Sequence, residues 1–171
     1  MAEGKLDLEI VTPKGRALSV SVDEVTAPGA AGEFGVMPGH VPLLAALRTG
    51  IVSYRKGQDT KRFAVGTGFA EANAEKVLIL TDEFVERDTI DPVKVRKDFT
   101  EAEAEFAKLS AEGFVEGEGV DARRELIVRL NWLVTQLELC GEAPAATVRL
   151  LEEAGVRDTL DVPTEEAEAK E

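Results

Sequence analysis

The spacing of hydrophobic residues changes near Arg87, and this change constrains the fold more than any other feature of the sequence. Before it, apolar and polar residues alternate over stretches such as residues 6–10 and 18–22, as expected for strands with one face on a core. After it, apolar residues recur at intervals of three and four, as in packed helices. The sequence therefore predicts an α+β fold, with an antiparallel β-sandwich in residues 1–86 and then an α-helical hairpin in residues 87–140.

Turn-forming residues divide the first part into short strands. A turn at residues 12–15 joins the first two strands, and further turns at residues 56–59 and 73–76 lie between apolar segments. Short strands at such close spacing are typical of an antiparallel sandwich. The strands predicted beside the second and third turns are residues 51–55, 62–65, 68–72 and 77–80.

Capping residues indicate the limits of the two helices. Asp91 is suited to the N-cap of the first helix, because Pro92 is well tolerated in a first helical turn, and this helix should end at Glu112. Asp121 is predicted to cap the second helix, which should end near Cys140. A short loop between the helices makes the pair a hairpin.

The second helix carries apolar residues on two faces. One face suits the partner helix, whereas the other can pack on the sandwich, pack under a third short helix over residues 145–154, or bind another subunit. The first face comprises Leu126, Leu130, Leu133 and Leu137, and the second comprises Val128, Trp132 and Leu139.

Acidic residues exceed basic ones, and the excess is greatest near the end of the sequence. The formal net charge is −13, and residues 141–171 hold 9 acidic and 3 basic side chains. That segment is predicted to form a short helix followed by a disordered acidic extension. Because the sequence contains no basic stripe, nucleic-acid binding and attachment to anionic lipid are disfavoured.

Hydropathy and cysteine content exclude further classes of protein. No apolar run approaches the ~18 residues of a membrane-spanning helix, and no signal peptide is recognisable, so a soluble cytosolic protein without direct membrane insertion is expected. The single cysteine, Cys140, excludes an internal disulfide and a cysteine-based zinc site. It is interpreted as a small buried apolar group at a helix end.

Residues 32–44, which read GEFGVMPGHVPLL, place glycines and prolines around Glu33 and His40, the single histidine. Glycine permits positive φ and proline fixes φ, so this segment is predicted to be a rigid surface loop between strands. His40 could act as a general base, but no serine or cysteine in a nucleophile context lies near it in sequence. A hydrogen-bonded role in shaping the loop is therefore favoured for His40.

The segment GEFGVMPGHVPLL resembles the signature of the epsilon subunit of F-type ATP synthases, which is called delta in mitochondria. Two more segments match in the family's order. They are TPKGRALSVSVDEVTAPG before the loop and FAVGTGFAEANAEKVLILTDEFVERDTID after it. The resemblance extends over residues 5–140, and the sequence from Gly141 onward departs from the family's pattern.

The resemblance implies a non-catalytic rotor subunit in the central stalk of a proton- or sodium-translocating F-type ATP synthase, peripheral to the cytoplasmic face of the inner (plasma) membrane. In epsilon subunits the sandwich contacts the gamma subunit and the ring of membrane c subunits, which the loop faces. The helical hairpin can extend toward the catalytic beta subunits and restrain ATP hydrolysis. No catalytic residue, cofactor or metal is expected. The residues expected at interfaces are Glu33, His40, Arg123, Arg124 and Trp132.

Some bacterial epsilon subunits bind ATP through an I/L-D-x-x-R-A motif at the start of the hairpin. The matching residues here, numbers 90–95, read IDPVKV, so Lys94 replaces the arginine and Val95 replaces the alanine. Lysine lacks the planar fork that suits bidentate phosphate contacts. Asp91 and Lys94 are therefore a weak remnant of the motif, and weak or absent ATP binding is predicted.

A different class of function is also compatible with a β-sandwich, because a fold does not fix a function. The chain could be a free-standing binding module or a small enzyme that uses the His40 loop. A pocket with convergent polar groups around His40 would favour this alternative.

Overall fold

The computed structural model describes residues 4–111 and 118–142, and within them strands precede helices, which confirms the predicted α+β fold. The two helices are α1 (Pro92–Ala111) and α2 (Glu118–Leu139), and a 3₁₀ turn, Arg87–Thr89, precedes α1. The strands are β1 (Leu6–Thr12), β2 (Gly15–Val22), β3 (Glu24–Gly29), β4 (Gly32–Val36), β5 (Leu43–Leu47), β6 (Gly50–Lys56), β7 (Asp59–Val65), β8 (Gly68–Ala72), β9 (Lys76–Thr81) and β10 (Phe84–Glu86).

The strands are hydrogen-bonded in the order β10-β7-β6-β3-β5-β8-β9-β1-β2, and β4 pairs with β3. The pairs are antiparallel except for β1 and β9, which are parallel. β3 bonds to β6 through Glu24–Thr26 and meets β5 at a single pair, Gly29 with Leu47. The sheet therefore changes direction at β3, and its two halves enclose one core.

The alternating pattern fills that core. Leu6, Leu8 and Ile10 of β1 are fully buried, whereas Asp7 and Glu9 between them point away from the core. Burying each such aliphatic side chain is worth about 1.5–3 kcal/mol. The same cluster takes buried side chains from β2, β3, β4, β5, β6, β7, β8 and β9.

The predicted loop over residues 32–44 is only partly a loop. It includes all of β4 and the start of β5, and β3 and β10 were also not among the predicted strands. Pro28 and Gly29 in β3, and Gly32 and Gly35 in β4, are residue types that strands usually avoid. Pairing between β3 and β4 overrides these local preferences.

The start of α1 and the end of α2 lie where the sequence predicts them, whereas the start of α2 does not. Asp91 Oδ1 accepts hydrogen bonds from the N–H groups of Val93 (3.0 Å) and Lys94 (3.3 Å), which confirms it as the N-cap of α1. Gly141, with φ of 85°, ends α2, and its N–H donates to the Glu138 carbonyl (3.0 Å). Asp121 was wrongly predicted as an N-cap, because α2 already begins at Glu118.

The reason for that error is local. Gly119 costs about 1 kcal/mol in a helix, so sequence alone argues against helix before Asp121. The long helix that follows offsets this cost.

The hairpin has its own apolar cluster, as predicted. Val95, Phe99 and Ala102 of α1 pack against α2, where the first predicted face supplies Leu130, Leu133 and Leu137, and Val134 adds to it. Leu126 is also buried.

The second face of α2 divides among three environments. Leu139 is 4% exposed and adjoins Tyr54 and Phe63 of the sandwich. Trp132 is half-buried, and Val128 remains 49% exposed. The predicted third helix and the acidic extension lie outside the described residues.

Two carboxylates connect separate parts of the sandwich. Asp23 pairs with Lys5, accepts a hydrogen bond from the N–H of Gly57 (2.6 Å) and lies 3.7 Å from Arg55 Nη1. The hydrogen bond from Lys5 is the main cause of a lowered pKa of Asp23, and the Gly57 bond adds to it. The hydrogen bond from Lys76 (2.7 Å) is the main cause of a lowered pKa of Glu9, although burial opposes it.

This arrangement predicts a loss of stability in acid. Because the pKa of Asp23 is lower in the folded than in the unfolded chain, its contribution is complete above the unfolded value and disappears as the pH falls through the folded value, below about pH 4. We expect Asp23→Asn to lower the urea midpoint at pH 7 and to differ less from wild type at pH 3, because the contribution of Asp23 decreases below about pH 4. Asp59→Asn, at the exposed start of β7, is the control. An equal difference for Asp23→Asn at both pH values would contradict the assignment.

Candidate functional site

The structure places Glu33 and His40 at opposite ends of β4. Glu33 is exposed and pairs with Pro28 beside the β3–β4 turn, whereas His40 follows the other end of the strand. A strand of five residues spans about 13 Å between its end Cα atoms. The segment that contains both residues therefore presents two separate surfaces.

The backbone and side chain of His40 are both engaged in their own turn. Its N–H donates to the Met37 carbonyl (3.1 Å), and Nδ1 lies 2.6 Å from the Val41 carbonyl oxygen. Gly39, with φ of 85°, donates its N–H to the Ala74 carbonyl (2.8 Å) and so joins this turn to the β8–β9 turn. These contacts support the predicted role of His40 in shaping the loop.

The sheet carries an exposed apolar surface that the sequence interpretation missed. Leu44, Phe69 and Leu80 are 74%, 57% and 47% exposed, and we call them the apolar face. Phe69 pairs with Leu80 on β9, and Leu44 on β5 is opposite Glu71, two residue pairs along the ladder from Phe69. Positions two apart lie on the same side of a sheet, so the three side chains share its outer side. Clustered large apolar side chains in water mark a surface that binds another protein.

A signal for this surface was present in the sequence. Residues 77–80, VLIL, are apolar at every position, whereas a strand with one face in water alternates. Val77 and Ile79 fill the core, which leaves Leu78 and Leu80 for the outer side. Met37 (55% exposed) and Val41 (72% exposed) are further large apolar side chains in water, in the segment between β4 and β5.

A second candidate site lies between the hairpin and the segment that connects it to the sandwich. This cleft of about 520 Å³ brings together Asp91 and Lys94 of the ATP-motif remnant with Trp132 of α2. Val85, Thr89, Ile90, Val95, Asp98, Arg129, Leu133 and Gln136 complete its lining. The sequence could not show that Trp132 and Lys94 line the same cleft, because this depends on how α2 packs on α1.

Two of the charged side chains that line this cleft already have partners within the protein. Asp91 Oδ1 caps α1, and Arg129 Nη1 lies 3.8 Å from Glu105 Oε2. Lys94 therefore remains the main cation that could meet a phosphate there, and it offers a point charge in place of a fork.

We expect a calorimetric titration of the protein with MgATP to show no binding tighter than millimolar. Lys94→Arg should raise the affinity roughly tenfold, about 1.4 kcal/mol, because a guanidinium can contact a phosphate through two N–H groups. The matched control is Lys97→Arg, one helical turn further along, where the side chain faces Glu101. Micromolar binding by the wild-type protein would contradict the prediction.

The two arginines predicted at an interface differ in environment. Arg123 is half-buried, and its guanidinium lies 5.4 Å from the centre of the Phe106 ring on α1, a cation–π contact. Arg124 is exposed. Neither lines the cleft around Trp132, so the five predicted interface residues occupy at least three separate surfaces.

The described residues contain neither a metal site nor a membrane-spanning helix. Within residues 4–111 and 118–142 no group of histidine, cysteine, aspartate and glutamate side chains could hold a metal ion. Neither described helix combines the length and apolar character needed to cross a lipid bilayer.

Comparisons with known proteins identify relatives of this chain. The family model for the beta-sandwich domain of the ATP synthase delta/epsilon chain matches residues 5–87, from the start of the sandwich to the start of the connector. ATP synthase epsilon chain 2 of Syntrophotalea carbinolica is 44% identical over 106 residues, 62% of this chain and 77% of that protein. The epsilon chain of Geotalea uraniireducens is 43% identical over 112 residues, 66% of this chain and 80% of that protein.

A solved structure extends the likeness to the helices. A chain in the cryo-EM structure of the Euglena gracilis mitochondrial ATP synthase, comprising OSCP, F1 and c-ring, superimposes with a TM-score of 0.65 at 25% identity. The superposition covers 81% of this chain and 82% of that chain, more than the sandwich alone. The family model of the beta-sandwich domain, the sequence relatives and this solved structure all indicate the same family. The chain therefore belongs to the family of ATP synthase epsilon chains.

Proposed function

We propose that this protein is a non-catalytic subunit of the central stalk of an F-type ATP synthase, where it couples the gamma subunit to the ring of c subunits. The observation that carries the proposal is the apolar face, three large side chains held in water on a rigid sheet. Family membership supplies the kind of complex to which such a surface belongs.

The apolar face is assigned to the gamma subunit. Removing Leu44, Phe69 and Leu80 from water would each contribute about 1.5–3 kcal/mol, an amount typical of the centre of a stable interface. Glu71, which pairs with Leu44 and Leu78, provides a charge beside the patch that can fix the register of the partner.

The end of β4 that carries Glu33 is assigned to the c-ring. Glu33 is exposed beside the β3–β4 turn, and it is separated from the turn that holds His40 by the length of the strand. One sandwich can therefore bind gamma through its outer side and the ring through an end. In this proposal the protein lies at the periphery of the membrane complex, on the cytoplasmic face.

The hairpin is assigned to restraint of ATP hydrolysis. α2 contacts β6 and β7, so the hairpin packs on the sandwich as well as on itself. Extension toward the catalytic beta subunits would give up the contacts of Leu139 with the sandwich, and contacts with beta must offset that loss. Val128 and Arg124, both exposed on α2, are available for those contacts.

Co-purification tests the proposal. An affinity-tagged chain should recover gamma and c subunits from detergent-solubilised membranes of cells that express the whole complex. The same preparation without detergent should leave the tagged chain attached to the membrane fraction. Recovery of the chain alone under both conditions would favour a free-standing binding module.

A further inference from the structure

The sandwich and the hairpin meet around a second cleft, of about 260 Å³, that the proposed function does not use. We call it the junction cleft. Its apolar lining comes from Leu18, Tyr54 and Phe63 of the sandwich and Leu139 of α2. Thr60, Lys61, Arg62, Glu86, Arg87 and Asp88 complete the lining.

Three exposed cations surround this apolar lining. Lys61 and Arg62 project from β7, and Arg87 belongs to the connector. No ion pair involves any of the three over the described parts of the chain, although Glu86 and Asp88 line the same cleft. The junction cleft therefore presents net positive charge around apolar side chains, in a protein whose net charge is −13.

The end of α2 lies at this cleft. Leu139 lines it, and the Arg87 guanidinium is close enough to Cys140 to oppose the rise that burial causes in the pKa of that thiol. Gly141 then ends the helix, and Glu142 forms an ion pair with Arg96 at 3.6 Å. The rest of the sequence thus continues from a point near Arg87, at the end of a helix whose Leu139 lines the junction cleft.

The sequence beyond Glu142 has the composition that such a cleft would bind. Residues 158–171 contain six acidic side chains and one lysine, and Leu160 and Val162 lie among the acids. The intervening residues, 143–157, can span up to about 50 Å when extended, so the length of chain does not limit contact. Segments that alternate carboxylates with apolar side chains complement cations around an apolar surface.

We propose that residues 158–171 bind the junction cleft, with carboxylates at Lys61, Arg62 and Arg87 and apolar side chains toward Leu18 and Leu139. Individual surface ion pairs are weak, but a tethered segment has an effective concentration in the millimolar range, so a weak site suffices. Salt should weaken the contact because all three cations are exposed.

The contact would join parts of the protein that separate if the hairpin extends. Lys61 and Arg62 belong to the sandwich, Arg87 to the connector and Leu139 to α2. A segment bound across them stabilises the docked hairpin. This consequence rests on the proposed function, whereas the contact itself can be tested on the isolated protein.

Paramagnetic relaxation enhancement in the full-length chain tests the contact. A spin label is attached at Thr164→Cys in a Cys140→Ser background, and amide signals are recorded at low salt. We expect signals of residues 60–63 and 87–88 to lose intensity. The loss should disappear at high salt and in the triple variant Lys61→Gln, Arg62→Gln, Arg87→Gln.

A matched triple variant separates local contact from a change in total charge. Lys14→Gln, Lys56→Gln and Lys108→Gln remove three exposed cations outside the cleft and should preserve the intensity loss. If the cleft variant loses amide dispersion, Asp158→Asn, Asp161→Asn and Glu165→Gln replace it and should also abolish the effect. The proposal would be overturned if the signals of residues 60–63 lost no intensity, or if the cleft variant Lys61→Gln, Arg62→Gln, Arg87→Gln kept the intensity loss. It would also be overturned if the intensity loss were confined to the apolar face or depended on protein concentration.

Discussion

Ending the chain after Arg87 should raise ATP hydrolysis by the reconstituted enzyme about 5-fold or more, while the sandwich remains in the complex. A restraint exerted by a detachable element corresponds to a coupling free energy of about 1–3 kcal/mol, which sets this range. The shortened chain keeps the whole sandwich core, because the buried cluster of strands does not include helix residues. Hydrolysis and subunit content should be measured on the same preparation, and a cooperative thermal transition should confirm that the shortened chain is folded.

A second truncation separates the hairpin from the acidic extension. Ending the chain after Glu142 retains the hydrogen bonds that end α2 and the ion pair of Glu142 with Arg96. We expect this variant to keep the full restraint, and to strengthen it to the extent that residues 158–171 hold the hairpin against the sandwich. If it released hydrolysis as fully as the shorter chain, the restraint would belong to residues 143–171 and the assignment to the hairpin would be wrong.

The contact of Arg123 with Phe106 makes Arg123→Glu and Arg124→Glu different tests of the hairpin. Arg124→Glu changes an exposed side chain and should release hydrolysis partly, in a manner that salt reduces. Arg123→Glu also removes the cation–π contact within the hairpin, so its effect would combine loss of a partner with loss of hairpin stability. Arg124→Glu is therefore the cleaner test of contact with the catalytic head.

Replacing Phe69 and Leu80 together by Asp should weaken binding to the gamma subunit by about 10²–10⁴-fold. The estimate follows from a loss of about 3–6 kcal/mol if both side chains are buried at the interface. The free energy of unfolding should fall by about 1–2 kcal/mol, because the two side chains are only about half exposed and the two carboxylates face each other across the β8–β9 pair. Titration with purified gamma and urea denaturation measure the two effects.

Val93→Asp is the control for this surface. Val93 is 70% exposed but lies in the first turn of α1, away from the outer side of the sheet. The Val93→Asp variant should bind the gamma subunit with wild-type affinity. Unchanged affinity of the Phe69 and Leu80 variant would remove the apolar face from the gamma interface.

Sequence patterns predicted those parts of the fold in which local and tertiary preferences agree. The alternation in β1 and β2, the turns of the β6–β7 and β8–β9 hairpins, and the Asp91 cap all follow from residues close together in sequence. β3 and β4 contain residues that strands avoid, and they depend on pairing with each other and with distant strands. Their positions could not be read from local pattern.

The candidate surfaces were even harder to predict from local sequence than β3 and β4. Glu33 and His40 are neighbours in the sequence, yet β4 separates them because the segment between them is extended. Phe69 and Leu80 become neighbours only through the β8–β9 register. The placement of Trp132 with Lys94 in one cleft and of Leu139 with Phe63 in another requires the packing of α2, which no short motif encodes.

The parallel pairing of β1 with β9 has a consequence for how the protein is made. Lys76 and Glu9, which bond at 2.7 Å across these strands, are 67 positions apart, so β1 cannot complete its pairing until nearly the entire sandwich sequence has left the ribosome. Contacts at such separation form late and slow the folding of a domain. During synthesis the apolar side of β1 depends on β2 alone, and a chain stalled before β9 would be a substrate for chaperones and proteases. Truncations within the sandwich should therefore be lost from the cell, whereas removal of the hairpin should not.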